Sequence, residues 1–444
     1  MHALLLLLVA GCSVATRPQD GAPDLLAGDL RDVPDPALAI PPRCIPGSNC
    51  LLIDVPATPW LLAPDAEGGA WLTFPGGQGN DADGIFQIGD LSAPFGDNGL
   101  YGDTFLAHVD GAGTWDALTP LGDANVTAME VAADGSVALI GTFYPQATLD
   151  GVVYTCGTFD SDFWVGIVES GGGWRWVEVL PRTDFGFLAP SALARNEAGD
   201  AFVGVLGAGG IGGMSVGEES MLSVVQLDGG SGDALWSRAL GVGIPTQIFV
   251  DPKGAVYVAG GGSSQYGGVV LGVEAPFPNL FLARVDGGED WVATVDTFNG
   301  VLLSGVWALP QDGDFTLGVA WATAEVPVTD GTLTFGALPT LPMAPWQDGA
   351  IAGLASSGQW RWARPADAIT RVATMGRRTW TTSQAIAYDA TGLISGFPEF
   401  YCERLPDGPS VGCRSADDVV NLAAGGGALW QAVDAAAPLR RITP

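Results

Sequence analysis

The sequence predicts an all-β protein, a β-propeller of about six four-stranded blades, and three observations predict it. An alternating apolar run, a Gly-rich turn and a Trp recur along the chain. Residues 103–109 lead to Trp115, 162–168 to Trp174 and Trp176, 222–227 to Trp236, 281–285 to Trp291, 349–354 to Trp360 and Trp362, and 419–422 to Trp430. Ahead of each copy lie two more apolar runs joined by a tight turn, so each unit holds two hairpins, or four strands. The closing Trp residues return every 55–71 residues, room for one four-stranded blade per repeat.

A length of 444 residues exceeds one ordinary domain. A ring of repeats absorbs it in one unit, because each repeat buries its face against the next. The 65 Gly suit many short strands joined by tight turns. Outside the N-terminus no run approaches the ~18 consecutive apolar residues of a membrane span. The net charge is −31, from 49 acidic and 18 basic residues, and Lys253 is the only Lys. Such a field repels nucleic acid and anionic surfaces, so no nucleic-acid partner is expected.

The chain opens with an apolar run at residues 4–10, too short to span a bilayer, which reads with its flanks as a signal peptide over 1–11. It ends in Val9-Ala10-Gly11-Cys12, which resembles the bacterial lipobox. The resemblance implies that Cys12 becomes a lipidated N-terminus. Ser13, in place of Asp, implies the outer membrane or cell surface as its location. Acyl chains contribute ~0.8 kcal/mol per buried CH₂, so several of them anchor firmly. Residues 12–43, rich in Pro, Asp, Gly and Ala, carry no hydrophobic period and read as a flexible tether. The folded body is then 44–444, with residues 51–55 as a first strand.

The inner hairpin of each unit is signalled by its turn. Gly68-Gly69, Asp134-Gly135, Ala198-Gly199, Lys253-Gly254, Asp312-Gly313 and Thr391-Gly392 each separate two apolar runs, as primed turns with positive φ require. Between the hairpins lie variable segments, such as 76–102, 207–219, 260–278 and 398–416. These read as longer loops on one face of the disc, where a repeat protein places binding. The Trp residues read as wedges between blades.

Residues 60–441 resemble the seven-bladed β-propeller repeat family of bacterial extracellular and lipid-anchored proteins. The strand–Asp-Gly–strand and Asp-x-Phe-Leu-Ala-x-Val-Asp patterns carry the likeness. Residues 227–236 show a weaker similarity to the repeat of quinoprotein-type propellers and their non-catalytic assembly lipoproteins. The vicinal Cys pair expected of a quinoprotein dehydrogenase is absent from the sequence. The resemblance implies a rigid surface platform and fixes no substrate.

With Cys12 lipidated, five cysteines remain in an exported chain. Local pairing would join Cys402 to Cys413 and Cys44 to Cys50, leaving Cys156 free; a pairing that includes Cys156 stays open. No metal or cofactor is expected, since no Cys-x-x-Cys is present and His108 is the only His after cleavage. His108 occupies a column filled elsewhere by Ile167, Gln226, Arg284, Gly353 and Leu422, which reads as strand surface and not as a general base. Residues 80–84 echo a calcium loop without its closing Glu, and read as a turn.

Two functions are expected. The first is a monomeric, lipid-anchored, non-enzymatic module that binds an unknown protein or glycan through loops on one face. The alternative is a secreted propeller enzyme, a hydrolase or lyase, with an acidic pocket on the axis.

Overall fold

The computed structural model describes backbone between residues 49 and 443, apart from short breaks of which 76–84, 96–102, 181–187, 262–267, 323–331 and 343–348 are the longest. Side chains are described within 53–363, outside those breaks and outside the strands at 268–275 and 302–322. Every regular element described is a strand.

The strands pair into seven antiparallel sheets, five of four strands and two extended to six, each built on four in the order first–second–third–fourth. Blade 1 is Leu61–Pro64, Ala70–Pro75, Thr104–Val109 and Trp115–Gly122. Blade 2 is Ala124–Val131, Val137–Phe143, Asp162–Val168 and Trp174–Leu180. Blade 3 is Leu188–Arg195, Ala201–Gly207, Met221–Leu227 and Ala234–Val242. Blade 4 is Ile244–Val250, Val256–Gly261, Leu280–Arg284 and Trp291–Thr297. Blade 5 is Leu302–Gln311, Asp314–Ala322, Gly349–Leu354 and Trp360–Ala366. Blade 6 is Ile369–Met375, Arg378–Gln384, Glu399–Arg404 and Ser410–Ser415. Blade 7 joins both ends of the chain: Val419–Gly425, Ala428–Val433 and Leu439–Thr443, then Asn49–Ile53 as its outer strand. First strands contact one another in sequence round the molecule, blade 1 to 2 and on to 7 and back to 1. That cycle makes the first strands innermost and the sheets radial, so the chain is a seven-bladed β-propeller.

The propeller expected from sequence is therefore present, and the last unit read from sequence divides into two sheets. Residues 385–397, read there as an inner hairpin, belong to the short insertion Ala387–Tyr388 and Ile394–Gly396 of blade 6. The segment 398–416, read as a loop, holds the two outer strands of that blade. Residues 419–422 form an innermost strand instead of a third strand. Blade 6 escaped the pattern because its first hairpin closes without an Asp-Gly turn and its outer strand carries no Trp.

Packing explains the closure. Five buried apolar clusters are described, and each spans two neighbouring blades. Trp71 and Leu106 of blade 1 pack on Leu139 and Trp164 of blade 2. Ile140 and Val165 meet Val203 and Val225 across the next interface. Phe202 and Val224 meet Val258 and Phe281, and Tyr257 and Leu282 meet Phe335 and Leu354. Ile53 of blade 7 packs with Phe74, Phe86 and Phe105 of blade 1. Middle strands are buried on both faces because each sheet lies between two others.

The inner turns are not the primed two-residue form expected from sequence: at 65–69, 132–136, 196–200 and 251–255 the first residue's N–H donates to the fifth residue's carbonyl, and positive φ falls on one Gly alone. Gly68, Gly135, Gly199 and Gly254 have φ between 77° and 91°, a backbone open to glycine at little steric cost. Bulges interrupt six innermost strands, and the residue skipped is Thr127, Ser191, Thr246, Ser304, Thr370 or Val420. The Thr127 and Thr246 hydroxyls donate to the Ile140 and Ala259 carbonyls at 3.2 Å. A hydroxyl thus meets a backbone acceptor where the bulge disrupts the ladder.

Candidate functional site

Strand direction gives the disc two unlike faces. First strands run toward one face and return through the turns at 65–69, 132–136, 196–200 and 251–255; third strands reach the same face at 110–114, 169–173 and 228–233. This turn face is polar and tightly bonded. The other carries the inter-blade connections and, in blades 1 to 6, a two-stranded hairpin inserted between second and third strands. The variable segments of blades 1 to 6 thus share one face, but as hairpins and not as loops.

On the turn face of blade 1, the buried Asp65 accepts from Gly69 N at 2.7 Å through Oδ1, and its Oδ2 lies 2.7 Å from His108 Nε2. Asp116 Oδ1 meets His108 Nδ1 at 2.5 Å, and the Trp71 ring lies 4.9 Å from the imidazole. A Cβ on residue 69 would fall 2.4 Å from Asp65 and 2.9 Å from His108, so only Gly fits there. Both imidazole nitrogens are held by carboxylates, which leaves none aimed at a substrate. In blade 3 the same column places Gln226 Nε2 2.8 Å from Asp200. In blades 1 and 3 the column therefore ties the third strand to the first turn, and in blade 2 it holds the fully buried Ile167, so it is not the strand surface expected from sequence.

Between blades 2 and 3 a second polar cluster joins the turns. Arg175 grips Glu169 through two bonds of 2.7 Å, reaches Asp134 at 2.9 Å and donates to the Gly229 carbonyl of blade 3. Burial alone would raise the Asp134 carboxyl, but the Ser136 hydroxyl and Arg175 hold it at about 2. Arg195, buried in blade 3, donates to the Ser136 carbonyl at 2.9 Å and to its hydroxyl at 2.7 Å, and to the Gly199 carbonyl. Neighbouring blades place Val131 and Val250 at the equivalent step, so Arg195 marks a local departure from the repeat.

Similar bonds recur outward. Thr119 donates to the Gly172 carbonyl, Trp176 to Gly229 and Trp291 to Ser356, and Arg238 pairs with Asp290. Each ties an outer strand to the turn of the following blade. Trp176, Trp236 and Trp291 wedge between blades as expected, and Trp176 and Trp291 add a hydrogen bond, whereas the Trp430 side chain lies outside the described residues.

Glu130 stands apart. It lies on the innermost strand of blade 2, with an open surface, yet burial raises its carboxyl to about 7 while the Arg195 charge opposes the rise. Glu130 stands on a strand that lines the inside of the ring, where the surrounding protein desolvates a carboxyl that still has surface open to water. The ordinary value is 4.5. The folded chain therefore binds this proton more tightly than the unfolded chain. The stability involved is present below about pH 4.5 and is lost as pH rises through 7. We expect Glu130→Gln to change unfolding little at pH 4 and to stabilise by on the order of 1 kcal/mol at pH 8, after discounting for axial water. Urea titrations at the two pH values check this.

The hairpin face is different in kind. Among the described residues six large hydrophobics are exposed, and five of them, Trp60, Ile85, Val152, Val153 and Ile244, lie on this face; Leu235 lies on the other. The hairpins also reach back over the preceding blade. Gly268–Val270 pairs with the outer strand of blade 3, and Thr332–Phe335 with that of blade 4. The Gly212 amide of the blade 3 hairpin donates to Glu178 of blade 2 at 2.8 Å. Burial, outweighing that bond, raises the Glu178 carboxyl.

Cys402 stands directly opposite Cys413 in the ladder of blade 6. Cys156 is a free thiol whose Sγ donates to the Phe143 carbonyl at 3.2 Å. Cys12, Cys44 and the 80–84 turn lie outside the described residues, as do the signal peptide and tether. No group of His, Cys, Asp and Glu able to hold a metal ion occurs among the described residues, and no described helix is long and apolar enough to cross a membrane.

No family model and no curated protein sequence matches the chain. Among solved structures it is similar to the Dos1 propeller, at 8% identity and TM-score 0.44, over 89% of this chain and 94% of that one. It is similar to YCF48 bound to D1 peptide, at 10% and 0.43, over 89% and 95%. It is also similar to BamB from Moraxella catarrhalis, at 13% and 0.42, over 89% and 96%. Likeness at this distance concerns architecture alone, and the class of the protein, a seven-bladed β-propeller, rests on the strand pairing itself.

Proposed function

We propose that this protein is a lipid-anchored module of the bacterial cell envelope that binds a protein ligand on the hairpin face of its propeller, without catalysis. One observation carries the reading: among the described residues, five of the six exposed large hydrophobics lie on the hairpin face. Exposed apolar groups gathered on one side of a soluble body mark an interaction surface. His108, the residue best suited to general-base work, is committed to Asp65 and Asp116. Cys12 would supply the anchor, and Cys402–Cys413 a staple across blade 6, since opposed positions on antiparallel strands are within reach of a disulfide.

The test uses the full chain displayed on cells, with its surroundings captured by proximity crosslinking. Trp60→Ala combined with Ile244→Ala is expected to reduce capture of the dominant partner at least tenfold, and Asp116→Asn to leave it unchanged. Equal capture by all three forms would remove the hairpin face from the function. Cys12→Ser is expected to release the protein from the membrane fraction; retention there would refute the anchor. An enzymatic reading is favoured by one observation, the desolvated Glu130 at the axis. It requires that Glu130→Gln abolish a turnover that the wild-type chain shows.

A further inference from the structure

We propose that the free edge of the blade 2 hairpin, Val152–Thr155, accepts an extended cationic segment of a partner protein as an additional strand. The inference rests on the binding reading above and names the kind of ligand. Gln146–Leu149 pairs with Val152–Thr155 through a two-residue turn, Asp150-Gly151, with φ of 51° and 69°. Positive φ at both positions defines a primed turn, whose flanking residues exchange both hydrogen bonds. Leu149 and Val152 are that pair. The alternation then points the backbone N–H and C=O of Val153 and Thr155 away from the hairpin.

Within the hairpin, one strand is committed and the other is not. Ala147 and Leu149 are buried in the cluster between blades 1 and 2. Val152 and Val153 are 49% and 60% exposed, and among the described strands Val152–Thr155 pairs with Gln146–Leu149 alone. In blades 4 and 5 the first strand of the hairpin, the counterpart of Gln146–Leu149, adds to a neighbouring outer strand, and the second, the counterpart of Val152–Thr155, stands last in its sheet. An unpaired, uncharged edge rich in Val and Tyr is a template for strand addition.

Charge selects the occupant. The edge strand carries no charge, Asp150 stands at its turn, and the whole chain bears −31. A second copy or an acidic strand would meet that field as repulsion, whereas a strand alternating apolar and basic residues would meet attraction. Its apolar side would lie with Val152 or Val153, and its basic side toward solvent and Asp150.

The experiment measures binding of a fluorescein-labelled, end-capped octapeptide of alternating Val and Arg to the full-length protein in detergent, by anisotropy at two salt concentrations. Hydrogen exchange is read on the same complex. Binding that weakens with salt, with new protection at Val153 and Thr155, is expected. Val153→Pro removes an outward amide without touching the hairpin's own ladder, and should weaken binding at least tenfold. Val153→Ala keeps the amide and should weaken it less than threefold. Should the Pro variant unfold the hairpin, Val153→Lys, which keeps the amide and repels the peptide, should also weaken binding at least tenfold. Equal binding by an alternating Val and Glu peptide, or no protection of the two amides, would overturn the proposal. If the peptide is lost with Trp60→Ala and Ile244→Ala but not with the Val153 variants, the hairpin face stands as the binding surface and the edge does not.

Discussion

Removing the strand Asn49–Ile53 is expected to destabilise the protein by on the order of 5 kcal/mol and to lower its unfolding midpoint in urea. The strand pairs along its whole length with Leu439–Thr443, so its loss exposes the edge of blade 7. It also takes away Ile53, which is 4% exposed and packs with Phe74, Phe86 and Phe105 of blade 1. Loss of a buried Ile side chain alone costs about 2–5 kcal/mol. The ladder bonds and the contact of the blade 1 hairpin with Ile53 go with it. Net stabilities of about 5–15 kcal/mol leave little reserve against such a loss. Urea unfolding followed by Trp fluorescence checks the outcome, and an unchanged midpoint would show that the ring does not depend on its first strand.

Trp71→Ala is expected to cost about 3–5 kcal/mol. Trp71 is fully buried on the second strand of blade 1 and packs against blade 2. Its Nε1 donates to the Gly135 carbonyl at 3.1 Å, across the blade interface, and its ring lies against His108. The substitution opens a cavity, leaves a carbonyl without its donor and loosens the Asp65–His108–Asp116 cluster together. Trp71→Phe keeps most of the volume and should recover more than half of the loss. Calorimetric unfolding of the three proteins separates the cases; a cost below 1 kcal/mol for Trp71→Ala would mean that blades 1 and 2 are not coupled through this residue.

The sequence displayed the parts of this fold that repeat strictly. A Gly that must take positive φ, as at 68, 135, 199 and 254, is visible as a letter, and so is the alternation of a half-buried strand. Blades 6 and 7 read as one unit in sequence because the positions that announce a blade are filled otherwise there: Gly376-Arg377 stands in place of Asp-Gly, and 410–415 holds no Trp. The closing partnership of Asn49–Ile53 with Leu439–Thr443 spans nearly the whole chain, and no local pattern encodes a contact of that range.

The turn-face clusters were hidden for another reason. Asp65, His108 and Asp116 come from a turn and two strands, and Arg195 serves Ser136 from the neighbouring blade. Their roles follow from the third dimension. One signal was available at Arg195, a charge in a column filled elsewhere by Val131 and Val250. The hydroxyls at 127, 191 and 246 offered another, a Ser or Thr shortly after each innermost strand begins. That most of the exposed large hydrophobics described lie on the hairpin side emerges once strand direction is known and assigns the faces.

A pair of cysteines at positions 51 and 441 tests the ring most directly, because Leu51 and Arg441 stand opposite each other where the two ends of the chain meet. In Leu51→Cys/Arg441→Cys, mild oxidation should join the two ends within one molecule, identified by mass spectrometry as a single 51–441 linked peptide pair, with no rise in dimer. Failure of that link to form in the folded protein, with both thiols remaining freely alkylated, would contradict a propeller closed by its own termini.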